Sequence, residues 1–147
     1  LPLVVRWPGV VEPGSRSDAF VRLQDLMPTF LEWAEADVPE GLHARSIQPL
    51  LRGETPDDWP ESVYAQYHGD EFGLYSQRMV RTHRYKFVYN GPDRNELYDL
   101  EADPHELQNL VDHPQYARVR TAMAQRLIEW MHQVDDSLRK WVPETLL

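Results

Sequence analysis

The chain has 147 residues, of which 41% are hydrophobic and 11% aromatic, so it can form a packed core and does not have the composition of a disordered protein. Its formal net charge of -9 argues against a nucleic-acid backbone as the partner. The lack of cysteine excludes disulfides and thiolate zinc sites within this sequence, and no apolar run approaches the roughly 20 residues of a membrane span.

The first 60 residues are predicted to contain one strand, one helix and a long loop. The apolar, β-branched run at residues 3–7 predicts a buried strand, and a strand so close to residue 1 leads us to expect a fragment of a longer protein. A helix is predicted within residues 23–36, with Asp25 as its N-cap, and a short helical turn over residues 46–51. The apolar face of the longer helix consists of Leu26, Phe30, Leu31 and Ala34.

The rest of the chain is predicted to form four short strands and a long helix. The strands are expected at residues 62–67, 77–82, 85–90 and 96–100, with the second and third forming a hairpin. Asp112 is predicted to cap the C-terminal helix. The apolar stripe of this helix, at three- and four-residue spacing, consists of Val119, Met123, Leu127, Trp130 and Val134.

The C-terminal helix is expected to cover one face of this sheet. Alternation along the strands gives two candidate faces, one with Tyr85, Phe87 and Tyr89 and the other with Val80 and Val88. We favour the aromatic face, because it offers more apolar area.

The predicted elements place the chain in the α/β class. Residues 1–58 are interpreted as the terminal part of an α/β domain. Residues 59–147 are interpreted as a C-terminal subdomain, in which a small antiparallel sheet packs on a long C-terminal helix.

The run "ELYDLEADPHELQNL", residues 96–110, has alternating acidic residues from Asp99 to Asp103, as the start of a calcium loop has. That loop requires Gly at its sixth position and Glu at its twelfth, and these positions are Pro104 and Leu110 here. The pattern therefore fails, and a turn or helix start is favoured over a metal site.

Among the histidines, His68 is the candidate substrate-binding residue. It ends a predicted strand and opens a loop beside Asp70 and Glu71, and functional residues collect in such loops. A histidine there could bind an anionic or hydroxylated substrate. The alternative, an ordinary loop histidine, stays open at this point.

Other polar residues do not form a catalytic constellation by their spacing. Alternation places Arg81 on the face opposite Arg78, so these side chains are expected to pair locally with acidic residues. Asp135 and Asp136 are adjacent near a helix end and make a poor acid/base pair. No catalytic or metal residue is assigned in this segment.

Five stretches, in chain order, resemble the C-terminal third of sulfatases of the alkaline phosphatase superfamily. They are "LPLVVRWPGVVEPGSRSD", "VRLQDLMPTFLEWAEADVPEG", "SIQPLLRG", "RMVRTHRYKFVYN" and "ELYDLEADPHELQNL". The last is the most specific, because sulfatases typically close with a run of this form. The resemblance implies an alkaline phosphatase-like fold in which this run joins the small sheet to the final helix.

The resemblance also implies a parent enzyme that hydrolyses a sulfate ester, on a small molecule or a carbohydrate. Such enzymes use a calcium ion and a formylglycine made from the Cys or Ser of a C/S-x-P-x-R motif, which this sequence lacks. The segment alone is therefore expected to be inactive, and its partner would be the upstream catalytic part of the same protein. His68 would contact the substrate, and His83, where the family often has Gly, would be strained if that position needs a positive φ.

Two alternatives remain. The parent could be a phosphonate monoester hydrolase or phosphodiesterase of the same superfamily, since the nucleophile that would constrain this choice lies outside the segment. The chain could also be a non-catalytic interaction module that reuses the sheet-plus-helix subdomain.

Overall fold

The structure, a computed structural model, describes residues 2–69, 76–91, 93–142 and 146. The chain divides into two compact units, residues 1–61 and 62–147. Helices and strands are both present, so the predicted α/β class is confirmed. In the described residues, no helix is both long enough and apolar enough to cross a membrane.

The first unit is organised around the buried side chain of Asp25. A 3-10 turn, Leu23–Asp25, leads into helix α1, Leu26–Trp33, and a second short helix, α2, spans Gln48–Leu51. The Asp25 carboxylate pairs with Arg22 at 2.9 Å and accepts a hydrogen bond from the backbone N–H of Arg45 at 3.1 Å. These bonds join the start of α1 to the loop that precedes α2.

One expectation for α1 is confirmed and one was wrong. Asp25 occupies the predicted N-cap position, although its carboxylate makes no side-chain cap because it is engaged by Arg22 and Arg45. The predicted apolar face is not the buried one, since Phe30 is 54% exposed. Thr29 is fully buried and binds across to the loop: its hydroxyl accepts the backbone N–H of Ile47 at 3.0 Å.

The strand predicted at residues 3–7 does not form, and that prediction was wrong for this structure. Leu3 and Val4 are 48% and 89% exposed. A strand is held by hydrogen bonds to a neighbouring strand, and the described part of the first unit contains none. An apolar, β-branched run is therefore not sufficient by itself to form a strand.

The second unit contains the predicted antiparallel sheet. Its strands follow one another in space as in sequence, and each neighbouring pair is antiparallel. The strands are β1, Ser62–Tyr67; β2, Gln77–Thr82; β3, Tyr85–Asn90; and β4, Glu96–Asp99. All four predicted strands are therefore confirmed, with β4 ending one residue early.

The turn between β2 and β3 is closed by Thr82, whose hydroxyl accepts the backbone N–H of Tyr85 at 2.9 Å. His83 in this turn does not have a positive φ; among the described residues other than glycine, positive φ occurs at Glu35, Glu106 and Asp135. The condition for strain at His83 is therefore not met.

The C-terminal helix α3, Ala117–Gln133, packs on the face of the sheet that carries Phe87. The favoured aromatic face is thus confirmed. One assignment was wrong: Val80 pairs directly with Phe87 across β2 and β3 and lies on this same face. Val88 is also buried, but it alternates with Phe87 and faces the other side. The buried cluster consists of Val80, Phe87, Leu97, Leu110, Val111, Met123, Ala124, Leu127, Met131 and Val142.

Helix α3 begins later than the sequence suggested. A 3-10 turn, Pro114–Tyr116, precedes it, and Tyr116 rather than Asp112 holds the N-cap position. The Asp112 carboxylate instead pairs with Arg94 at 2.7 Å. The prediction of Asp112 as the cap was wrong because the proline turn lies between this residue and the helix.

Candidate functional site

The candidate residue His68 lies at the end of β1, and its side chain is exposed. Its Nε2 atom is 3.4 Å from Nη2 of Arg78, which lies on the neighbouring strand β2. The adjacent residues Asp70 and Glu71 lie outside the described residues. The structure therefore joins His68 to an arginine that the sequence analysis had treated separately.

Arg78 is held in a fully buried ion pair with Asp136. Nε of Arg78 donates to Oδ2 at 2.6 Å and Nη2 donates to Oδ1 at 3.2 Å, so the pair is bidentate. Neither side chain is exposed to solvent. A bidentate pair of this kind fixes the orientation of the guanidinium as well as neutralising its charge.

Tyr64 completes the buried network from β1. Its hydroxyl donates to Oδ2 of Asp136 at 2.6 Å, and its ring stacks on Trp130 of α3 with 6.1 Å between the ring centroids. Burial raises the pKa of Tyr64, and its hydrogen bond to the Asp136 carboxylate raises it further. The phenol therefore remains a hydrogen-bond donor throughout the physiological range.

The pKa of Asp136 is lowered despite its burial. Burial alone would raise it, but the hydrogen bonds from Arg78 and Tyr64 outweigh that effect. The backbone N–H of Leu138 also donates to Oδ1 at 2.7 Å. Both oxygens of Asp136 thus accept hydrogen bonds from the protein. This suits a structural role and does not suit a proton-transfer group.

The sequence analysis missed this network, although a signal was present. It treated Asp136 only as half of a pair with Asp135. In the structure Asp135 has an 84% exposed side chain paired with Arg139, whereas Asp136 is buried. Because Arg78 shares the inward face of β2 with Val80, a buried carboxylate partner was required by its position.

The run at residues 96–110 serves the fold. The Asp99 carboxylate is engaged by the guanidinium of Arg84 at 2.9 Å, and Asp103 accepts the backbone N–H of Gln108 at 2.8 Å. The side-chain oxygen of Asn109 accepts the backbone N–H of Leu97 at 3.1 Å and that of Val111 at 3.0 Å. These bonds join β4 to the segment that leads to α3, as the resemblance implied.

Calcium does not fit this run. The Asp99 and Asp103 carboxylates are directed to separate protein donors and do not converge. Within the described ranges, no group of three or more His, Asp or Glu side chains could hold a metal ion. We derive no catalytic step through a metal for these residues.

A hollow with a volume of about 330 Å³ is lined in part by residues of α3. Its charged groups are already engaged, since Arg94 pairs with Asp112 and Arg120 donates to the backbone carbonyl of Val111 at 3.0 Å. It is therefore not a candidate for the anion-binding role considered for His68. The lining residues are Phe87, Arg94, Asn95, Val111, Asp112, Arg120, Ala124 and Leu146.

Comparison with known families identifies the chain. A family model described as N-sulphoglucosamine sulphohydrolase, C-terminal, matches residues 1–133. The chain belongs to this family of sulfatase C-terminal domains. The resemblance drawn from the sequence is therefore confirmed.

Curated sulfatases match nearly all of this sulfatase domain. The N-acetylglucosamine-6-O-sulfatase of Bacteroides thetaiotaomicron is 34% identical over 143 residues, which cover 93% of this chain and 26% of the relative. The ulvan-active sulfatase of Formosa agariphila is 29% identical, with 94% of this chain and 34% of the relative covered. The chain thus spans about a quarter to a third of these relatives.

Solved structures confirm the alkaline phosphatase-like fold of this sulfatase domain. A protein solved in complex with its substrate D-glucosamine-2-N,6-O-disulfate matches with a TM-score of 0.82 and 31% identity, covering 92% of this chain and 29% of that one. A phosphonate monoester hydrolase from Silicibacter pomeroyi matches with a TM-score of 0.77 and 26% identity, covering 90% and 29%.

Proposed function

We propose that this chain is the C-terminal part of an enzyme that hydrolyses sulfate esters of carbohydrates. The observation that supports this most is the family match over residues 1–133, together with 34% identity to an N-acetylglucosamine-6-O-sulfatase. Within the parent, residues 1–58 would complete the large α/β domain, and residues 59–147 would form the C-terminal subdomain.

His68 is proposed as the substrate contact of this segment. It is exposed, yet its ring is tied through Arg78 to a buried carboxylate. A surface histidine held in this way loses little side-chain entropy when it binds a ligand. The hydroxyl and sulfate oxygens of a sulfated sugar are suitable hydrogen-bond partners for its ring nitrogen.

The bond-breaking groups are proposed to lie elsewhere in the parent. Sulfatase relatives imply a formylglycine nucleophile, and the resemblance implies calcium, which would stabilise negative charge on the sulfate. The residues of this chain would bind and orient the sugar through His68. The isolated chain is accordingly expected to show no turnover.

The upstream part of the same polypeptide is the proposed partner of the first unit. Leu23, Met27 and Phe30 are 73%, 43% and 54% exposed and recur at helical spacing on one face of α1 and its preceding turn. The buried indole N–H of Trp33 has no acceptor among the described residues. Buried donors are almost always paired, so both features favour a surface that the rest of the sulfatase covers.

A second candidate function is phosphonate monoester hydrolysis. The solved phosphonate monoester hydrolase of Silicibacter pomeroyi matches this chain with a TM-score of 0.77, nearly as well as the sugar-sulfate complex does. The same C-terminal architecture therefore suits both activities, and a direct comparison of substrates is needed.

The full-length polypeptide that carries this chain should be assayed with two substrates, glucosamine 6-sulfate and an aryl phosphonate monoester. The proposal predicts a higher kcat/KM for release of sulfate. A higher kcat/KM for the phosphonate would favour the second candidate. Turnover by the isolated chain would contradict the assignment of the catalytic groups to the upstream part.

A further inference from the structure

The contacts of Arg78 determine where the His68 ring carries its proton. A guanidinium has five N–H groups and no acceptor. Three are taken by the strongest bonds: Nε and Nη2 bind the Asp136 carboxylate, and Nη1 donates to the carbonyl of Gln77 at 2.8 Å. A fourth, also from Nη1, reaches the carbonyl of Tyr67 at 3.4 Å.

The fifth N–H of Arg78 is directed at His68. The two nitrogen atoms, Nη2 and Nε2, are 3.4 Å apart, which is at the long end of hydrogen-bond distances. The Arg78 side chain is 0% exposed, so Nη2 has little access to solvent in this arrangement. Turning the ring over would place a carbon-bound hydrogen against Nη2 and leave a buried donor unpaired, which costs free energy.

Because Nη2 can only donate, Nε2 of His68 must accept. An accepting ring nitrogen carries no proton, so the proton of the neutral imidazole lies on Nδ1. In the described residues no acceptor is found for Nδ1, and the side chain is exposed. Among the described residues, the Nδ1–H group is therefore unpaired and lies on an exposed side chain.

We propose that Arg78, oriented by Asp136, is a positioning residue that holds His68 as the neutral tautomer protonated on Nδ1. In this tautomer His68 offers a ligand one directed N–H donor. This selects an acceptor oxygen, such as a sugar hydroxyl or a sulfate oxygen. The tautomer follows from the contacts alone, whereas its use by substrate rests on the proposed function.

Nitrogen NMR tests the tautomer directly. The 147-residue chain, labelled with ¹⁵N, would be examined by two-bond ¹⁵N–¹H correlation of its histidine rings, and His68→Gln would identify the His68 signals. We expect Nδ1 to have the shift of a protonated nitrogen and Nε2 that of an unprotonated one. A protonated Nε2, in either the other neutral tautomer or the imidazolium, would overturn the proposal.

Arg78→Lys tests the positioning role. We expect the His68 signals to move towards those of a tautomer mixture, while His105, an exposed histidine in the 96–110 run, keeps its signals. Unchanged His68 signals in this variant would refute the role of Arg78. If the variant does not fold, the wild-type spectrum still decides the tautomer.

Two substitutions in the full-length enzyme test the use of the donor. His68→Gln keeps an acceptor for Arg78 and an N–H donor for substrate, so its KM should rise less than that of His68→Lys. His68→Lys places a second cation beside Arg78, and KM should rise by about tenfold or more. Equal KM values in wild type and both variants would refute the substrate contact of the proposed function, whereas the NMR result decides the tautomer independently.

Discussion

Arg78 and Asp136 form a bidentate ion pair in which neither side chain is exposed to solvent. Because they are 58 positions apart in the sequence, the pair joins strand β2 to the segment that follows helix α3. It also lies directly beneath His68, whose Nε2 is 3.4 Å from the same guanidinium. One guanidinium therefore contacts both the segment that follows α3 and the candidate site.

Asp136→Asn is expected to lower the free energy of unfolding by about 3–5 kcal/mol, because it leaves the guanidinium of Arg78 buried without a counter-charge. Urea unfolding of the chain measures this loss. The neighbouring substitution Asp135→Asn is the matched control. The Asp135 side chain is 84% exposed and its φ of 53° suits asparagine, so the change should stay below about 1 kcal/mol. Equal losses in the two variants would contradict the account.

Acid is expected to destabilise the second unit through Asp99 and Asp136. The hydrogen bond from Arg84 lowers the pKa of Asp99, and the pKa of Asp136 is lowered because the bonds from Arg78 and Tyr64 outweigh burial. Such carboxylates stabilise the fold fully above the unfolded-state pKa of about 3.9, and this contribution is lost as the pH falls through the lower folded value.

Urea unfolding between about pH 6 and pH 3 checks this dependence. Asp99→Asn removes one titrating group, so its stability should vary less with pH than that of wild type. Identical slopes for the two proteins would show that Asp99 does not contribute in the expected direction.

Leu127→Ala is expected to destabilise the second unit by about 2–5 kcal/mol, the usual range for a buried leucine. Leu127 is 0% exposed and belongs to the cluster between α3 and the sheet. Thermal unfolding measures the effect, with Leu107→Ala as the control because Leu107 is 85% exposed. An unchanged melting temperature for Leu127→Ala would refute the packing of α3 on the sheet.

Leu23→Ala distinguishes an exposed surface from a covered one. In the isolated chain, where Leu23 is 73% exposed, the free energy of unfolding should change by less than about 0.5 kcal/mol. In the full-length polypeptide the loss should reach roughly 2 kcal/mol if the upstream part covers this side chain. Glu32→Ala, at an exposed position on the adjoining helix α1, should have little effect in both. An equally small effect of Leu23→Ala on the stability of the isolated chain and of the full-length polypeptide would refute the proposed interface.

Local sequence patterns predicted the strands and the long helix of the second unit well, because these elements follow from short-range features. The hairpin and the stripe of α3 depend on alternation and helical spacing, which a sequence shows directly. The pairing of Val80 with Phe87 could also have been derived, since the two-residue turn between β2 and β3 fixes their register. We missed it by assigning faces to single strands.

The structure of the first unit was predicted less well, because it depends on contacts between residues that are distant in sequence. Residues 3–7 have a strand composition, but composition does not supply a neighbouring strand. The carboxylate of Asp25 binds Arg45, twenty positions away, and no local rule for helix caps anticipates that bond. The link from His68 through Arg78 to Asp136 was likewise invisible to motif spacing, because it spans three separate elements.

The most direct test of the account is the kinetic effect of His68→Ala in the full-length polypeptide, measured as sulfate release from glucosamine 6-sulfate. The account predicts that KM rises by roughly three- to tenfold while kcat changes little, because one hydrogen bond to substrate is lost and the bond-breaking groups are untouched. His105→Ala, at another exposed histidine, should leave both constants unchanged. A KM for His68→Ala equal to that of wild type would contradict the proposed contact between His68 and the substrate.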